Sequence, residues 1–303
     1  MIKLLLRTRA FGLVAALFIH SMAVSVASAE SGQISWEGWR FNYSTDNAAT
    51  GLTLSGVYYK DQQILYRASF PVMRVEYDND DCGPYADILW EDTYLPIENN
   101  QPVPGCNGRS LCQRSYEQDG QKYLELGINA KLGEYDIYQS YVFNPNGFFD
   151  SFVFSRGLQC VVNHSHHAHW LFDFDINGDD NDQVLRNGNS VQTSEFNDRR
   201  SDTRFWSVQD ARTRTRVEIY PGRDDGNPDA FSQWDVAVRT WKRHETGNWF
   251  WGPRGEIGNL FDNSENINQA DIVFWYVTHL EHSALEGEEL WHYSGPRVQV
   301  ILP

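Results

Sequence analysis

Alternation with a period of two runs through this chain, and it decides the fold class before any single residue does. Thr53 to Tyr59, Tyr141 to Ser155, Val217 to Tyr220, Trp234 to Trp241 and Ile272 to His279 alternate apolar and polar positions, as strands with one face on a core must. Gly, Asn, Asp and Pro clusters bound these runs. Turn chemistry is concentrated at Asp78 to Gly83, Asp179 to Asp182, Arg186 to Ser190 and Asp224 to Asp229. Helical periodicity is scarce, and 303 residues suffice for one large core. The pattern predicts an all-β fold, a large antiparallel sandwich of many strands with few short helices. Most of the 11 Trp are expected in its core and rim, with some lining a pocket.

The N-terminus reads as a secretory leader. Lys3, Arg7 and Arg9 precede an apolar stretch from Phe11 to Val26, and Ala27-Ser28-Ala29 is a small-residue cleavage site. Cleavage after Ala29 would leave residues 30–303 as one exported domain, periplasmic or extracellular. A membrane anchor is the competing reading; His20 and Ser21 interrupt the apolar run and speak against it. The net charge of −16 becomes three units more negative when the leader's basic residues are removed. Such a balance opposes binding to nucleic acid and is compatible with cationic small molecules, protonated amines included. Cys82, Cys106, Cys112 and Cys160 predict up to two disulfides in an oxidising compartment, with all three pairings open. No Cys-x-x-Cys pair suggests a thiolate metal site.

Residues two apart on a strand share a face, so His164 and His166 can present ring nitrogens to one ion. With His282 as a third imidazole, the ion would keep open positions, a chemical rather than a structural kind of site that suits copper or zinc. On spacing alone, the run His164, His166, His167, His169 fits a metal-scavenging tract or plain polar strand residues equally well. The opposite face of the same strand sets Asp173 beside Asp175. Paired carboxylates suit Ca²⁺, and a solvated acidic edge is the other reading. The string from Asp173 to Gly178 resembles the opening of an EF-hand loop, but position twelve is Val184 rather than Glu.

Four ordered blocks carry a family resemblance. They are the entry Trp36-Glu37-Gly38-Trp39-Arg40-Phe41 followed by Gly51-Leu52 and Ile64 to Tyr77; Glu134-Tyr135-Asp136-Ile137 running on to Phe143 and Gly147; His164-Ser165-His166 continuing to Asp173, Asp175 and Gly178; and Trp275-Tyr276 leading to His282. In these blocks the chain resembles the catalytic domain of the copper amine oxidases, in a compact version without the family's smaller N-terminal domains. The resemblance implies a supersandwich-like fold, a homodimer, and copper on His164, His166 and His282. It implies that Tyr135 is oxidised by copper and O₂ to topaquinone. The reaction would be oxidative deamination of a primary amine to an aldehyde, releasing ammonia and hydrogen peroxide. A peripheral calcium site would use Asp271 with Asp173 and Asp175.

The chain also departs from the family pattern. Glu134 and Lys131 stand where the family has Asn and Thr, and a carboxylate at position 134 is expected to alter the hydrogen bonding that orients the ring. The family's base motif is not preserved; Asp87, followed by apolar Ile88-Leu89-Trp90 that would raise its pKa by burial, is the first candidate for general base, and Asp92 the second. These departures suit an alternative: an exported copper-binding relative without quinone or amine oxidase activity. A Trp-rich carbohydrate-binding sandwich would explain the aromatics but not the histidine spacings.

Overall fold

The computed structural model describes residues 30–46, 51–78, 82–89, 93–97, 106, 109–242, 264–285, 287 and 290–303. The leader reading of residues 1–29 and the candidate base Asp92 fall outside the described residues. In chain order the strands are β1 (Ser31–Trp36), β2 (Trp39–Ser44), β3 (Thr53–Tyr59), β4 (Gln62–Tyr77), β5 (Tyr85–Asp87), β6 (Leu111–Gln118), β7 (Gln121–Leu132), β8 (Tyr135–Asn144), β9 (Phe148–Arg156) and β10 (His164–Phe174). They continue as β11 (Asp182–Arg186), β12 (Ser190–Gln192), β13 (Phe196–Asp198), β14 (Trp206–Asp210), β15 (Arg216–Tyr220), β16 (Val236–Thr240), β17 (Ile272–His282), β18 (His292–Ser294) and β19 (Arg297–Ile301). No α-helix occurs among the described residues, so the few short helices expected from sequence are not found there.

Two antiparallel sheets result. The first has the order β1-β2-β3-β4-β10-β17-β16-β13 with β5 paired to β4; the second runs β12-β11-β14-β15-β19-β9-β8-β7-β6 with β18 paired to β9. The alternating run Tyr141 to Ser155 is not one strand but the end of β8 and most of β9. Pro145 has no amide hydrogen to donate to a ladder, and Gly147 adopts φ +84°, so the chain reverses between them.

Apolar faces of both sheets meet in a core rich in rings: Trp39, Phe41, Phe143, Phe149, Trp170 and Phe172 are all essentially inaccessible. Some buried polar groups in this layer are matched across the two sheets. Trp39 Nε1 donates to the Asn144 carbonyl at 2.8 Å. The Gln139 amide donates to Leu52 O and accepts from Leu52 N, both at 2.9 Å. Gly51, at φ +61°, lies so close to that amide that a β-carbon would approach Gln139 Oε1 to 2.3 Å.

Register then fixes what stands at one end of the sandwich. Tyr77 on β4 faces His164 on β10, and His164 faces His282 on β17. Directly opposed residues on neighbouring antiparallel strands point to the same side, so the three form one row across the first sheet. The second sheet brings Tyr135, first residue of β8, to the same place. A two-residue hairpin loop, Gly133-Glu134, precedes it, with Gly133 at φ +56°, the positive angle that the first position of a type II′ turn needs. The disulfides are Cys82–Cys160 and Cys106–Cys112, and the first ties the segment after β4 to the segment before β10.

Candidate metal and tyrosine site

His164, His166, His282 and Tyr135 are buried and lie together. Ring centroids are 4.9 Å apart for His164 and His166, 4.9 Å for His164 and His282, and 4.6 Å for Tyr135 and His166. The hydrogen bonds have a defined direction because one end is a backbone carbonyl. His164 Nδ1 lies 3.0 Å from Val162 O, which can only accept, so Nδ1 carries the proton and Nε2 the lone pair. Nε2 therefore accepts from the Tyr135 hydroxyl at 3.1 Å. That leaves the Tyr135 oxygen to accept, and it does so from the Gln159 amide at 3.2 Å and from the Tyr77 hydroxyl at 3.0 Å.

This chain of bonds separates two phenols chemically. Burial raises the pKa of Tyr135, while the bonds from Tyr77 and Gln159 oppose that rise, because donors favour the charged form. Tyr77 is pushed up by burial and further by its bond to Tyr135. Tyr135 is thus the member of the pair better prepared to lose its proton. Two of the imidazoles are held neutral: burial brings His164 down to about 4, with His282 and His292 adding to the effect, and His166 falls well below its ordinary value, chiefly by burial.

The residues present fit a copper ion by tautomer and by spacing. A metal-bound imidazole usually donates its other N–H to a carbonyl or carboxylate. His164 does so to Val162, leaving Nε2; His282 Nε2 lies 3.1 Å from Gly287 O, leaving Nδ1. With metal–nitrogen bonds of about 2.0–2.1 Å, ring centroids of two ligands on one ion lie roughly 4.5–5.2 Å apart for angles between a right angle and the tetrahedral value. Both histidine pairs fall inside that range. Among the described residues, no three His, Cys, Asp or Glu side chains are already disposed about one point. His164 Nε2 is turned to the Tyr135 hydroxyl, so a metal bound there would replace that hydrogen bond.

The other candidates are placed as follows. Asp87, at the end of β5, is half-buried, and burial raises its pKa; its charge in turn raises that of Tyr77, so it lies on the flank of the tyrosine pair. Glu134 is exposed on the hairpin turn, and Lys131 reaches its backbone oxygen at 3.0 Å and Asp136 at 3.4 Å. His167 and His169 lie on the opposite face of β10 from His164 and His166; His167 meets His279 at 2.8 Å and Asp229 at 3.0 Å.

Asp173, at the far end of β10, is raised to about 8 by burial, then by Asp271 and Asp175, against the pull of Arg67. Asp271 is raised to about 6 by burial and by Asp179 and Asp175. Asp175 is raised by burial and accepts a hydrogen bond from Gln63.

Sequence reasoning missed Tyr77, Gln159 and His292. Tyr77 comes to the site only through strand register and Gln159 through a loop. His292 is brought by β18, and its ring lies 4.5 Å from that of His282. A cavity of about 380 Å³ opens beside it, lined by Trp291, Leu280, Glu281 and Asp224 among others.

Comparison with known proteins places these observations. Residues 26–93 match the family model described as copper amine oxidase, enzyme domain. No curated protein matches the sequence. Among solved structures, the chain is similar to the lysyl oxidase of Pichia pastoris, with 16% identity and a TM-score of 0.74 over 89% of this chain and 51% of that one. An Aspergillus nidulans amine oxidase is 17% identical, with a TM-score of 0.70 over 97% of this chain and 55% of that one. A copper-containing benzylamine oxidase from Hansenula polymorpha is 14% identical, with a TM-score of 0.66 over 89% and 59%. The chain thus spans between half and three-fifths of the length of these structures. At such identities the likeness establishes the fold, that of the copper amine oxidase catalytic domain.

Proposed function

We propose that this chain is a copper-dependent oxidase of primary amines whose organic cofactor, topaquinone, is made from Tyr135, and that it acts outside the cytoplasm once residues 1–29 are removed. The observation that carries the reading is the contact of the Tyr135 hydroxyl with His164 Nε2, the ring nitrogen left without a proton by Val162. His164, His166 and His282 would hold the copper. When bound, copper with O₂ supplies the oxidation of the phenol, and the resulting quinone supplies the electron acceptor for the amine.

The chain's own groups do the rest. Gln159 N–H and Tyr77 O–H fix the Tyr135 oxygen and favour its ionised form, which is the electron-rich form of the ring. Burial among apolar residues of both sheets excludes water from the phenol. Asp87, with its raised pKa, is the base assigned to the substrate's α-proton. Amine, water and O₂ would yield aldehyde, ammonia and hydrogen peroxide. The carboxylates of Asp224 and Glu281 at the cavity mouth favour a cationic amine over a neutral one. Asp173, Asp175 and Asp271 are proposed as a calcium site, and a homodimer as the assembly.

The purified chain is loaded with Cu(II) in air, stained for protein-bound quinone by redox cycling, and assayed for peroxide release with a panel of primary amines. Quinone stain and peroxide in the wild type, both lost in Tyr135→Phe with copper retained, support the reading. Copper uptake with neither quinone nor peroxide in the wild type overturns it in favour of an exported copper-binding relative.

A further inference from the structure

A fourth histidine stands where the sequence reading placed three. His292 opens β18, whose backbone pairs with β9 of the second sheet through His292 and Ser155, while its side chain reaches across to the first. Its ring centroid is 4.5 Å from that of His282 with the planes tilted by 37°. That separation lies at the lower end of the range for two imidazoles on one ion, worked out above from metal–nitrogen distances. Its Nε2 is buried from solvent. The neighbouring Trp291 is held by the cation–π contact of Arg156, 4.7 Å from the ring centroid. Arg156 in turn pairs with Asp136 at 2.6 Å, next to Tyr135. Through these contacts β18 is anchored to the hairpin that carries the tyrosine.

We propose that His292 is a fourth imidazole ligand of the same copper centre, contributed by the second sheet; the inference rests on the copper reading above. Three ligands come from β10 and β17 of one sheet, and the fourth closes the centre from the opposite sheet, on the side where the cavity of about 380 Å³ approaches. A fourth imidazole takes one of the positions that a three-histidine ion leaves to water, and it tightens binding. It also makes the metal centre a link between the two sheets, so that loading the ion joins β18 to β17.

The test uses the full chain with Cu(II) added anaerobically, so that the phenol is not oxidised, and reads the nitrogen couplings of the electron paramagnetic resonance spectrum together with affinity by chelator competition. The expected wild-type spectrum reports four imidazole nitrogens. His292→Phe keeps the ring volume, and it is expected to report three and to lose at least tenfold, toward a hundredfold, in affinity, the loss that even an outer-shell partner can cause. The wild-type nitrogen count needs no variant and stands even if His292→Phe folds poorly. A wild type that takes no copper overturns the proposed function and this inference together. A wild type that binds copper with three nitrogens, and with the spectrum and affinity of His292→Phe, overturns this inference alone.

Discussion

Asp173→Asn has a sign and a size that follow from where Asp173 lies. The residue is 4% exposed, and its carboxyl is pushed to about 8 by burial and by Asp271 and Asp175. An acid whose folded pKa exceeds its unfolded value of about 3.9 holds its proton more tightly in the folded chain. Stability from this group is therefore greatest at low pH and falls as pH rises between about 4 and 8. At pH 7 without metal the cost is about three units at about 1.4 kcal/mol each, or about 4 kcal/mol. Asp175 and Asp271 titrate together with it, so one substitution recovers roughly 2–4 kcal/mol. Asn keeps an acceptor for the Trp241 side chain that bonds Asp173 and removes the ionisable group. In thermal melts with chelator at pH 7, Asp173→Asn should melt at least about 4 °C above the wild type, with the gap closing as the pH falls to about 4. Added Ca²⁺ should raise the wild type and not the variant, since only the wild type offers the full ligand set. A variant that melts below the wild type in chelator at pH 7 refutes the reasoning about burial. A wild type indifferent to Ca²⁺ refutes the calcium site.

Other outcomes follow from the same geometry. Ala at His164, His166 or His282 should each lower copper affinity by at least a hundredfold, roughly the upper end of outer-shell effects, whereas His167→Ala and His169→Ala, on the opposite face, should keep metal content in elemental analysis; full retention in His282→Ala would remove it from the ligand set. Opening the Cys82–Cys160 bridge as the double Ser variant should cost on the order of 4 kcal/mol in denaturant unfolding, given a loop of 78 residues, and should weaken the hold of Gln159 on Tyr135; an unchanged midpoint contradicts this. Glu134→Asn, on the exposed turn, should leave the rate of quinone formation within about twofold, a change worth roughly RT; a tenfold acceleration would show that the carboxylate acts on the ring after all.

The fold class was legible because alternation is a local property that both sheets must satisfy. Thr53 to Tyr59 coincides with β3, and the runs in β15, β16 and β17 overlap their strands closely. The hairpin between β8 and β9 was hidden because its strands share one alternation phase across Pro145 and Gly147. His164, His166 and His282 could be picked out by residue type and by the resemblance. What made them a site was register, the pairing of Tyr77 with His164 and of His164 with His282, and register is set by contacts between strands far apart in sequence. Tyr77 was read as part of a strand and not as a partner of Tyr135, since nothing local marks a tyrosine that meets another 58 positions away. His292 stayed out of view for the same reason: β18 belongs to the second sheet, and only the packing of the sheets brings it to His282.

The central claim is that Tyr135 becomes the cofactor, and the mass of the peptide that contains it tests this most directly. After aerobic copper loading and proteolysis, the account predicts a gain of two oxygens less two hydrogens on Tyr135, blocked when copper or O₂ is withheld and absent in Tyr135→Phe. A copper-loaded wild type whose Tyr135 peptide keeps the mass of unmodified tyrosine would contradict it.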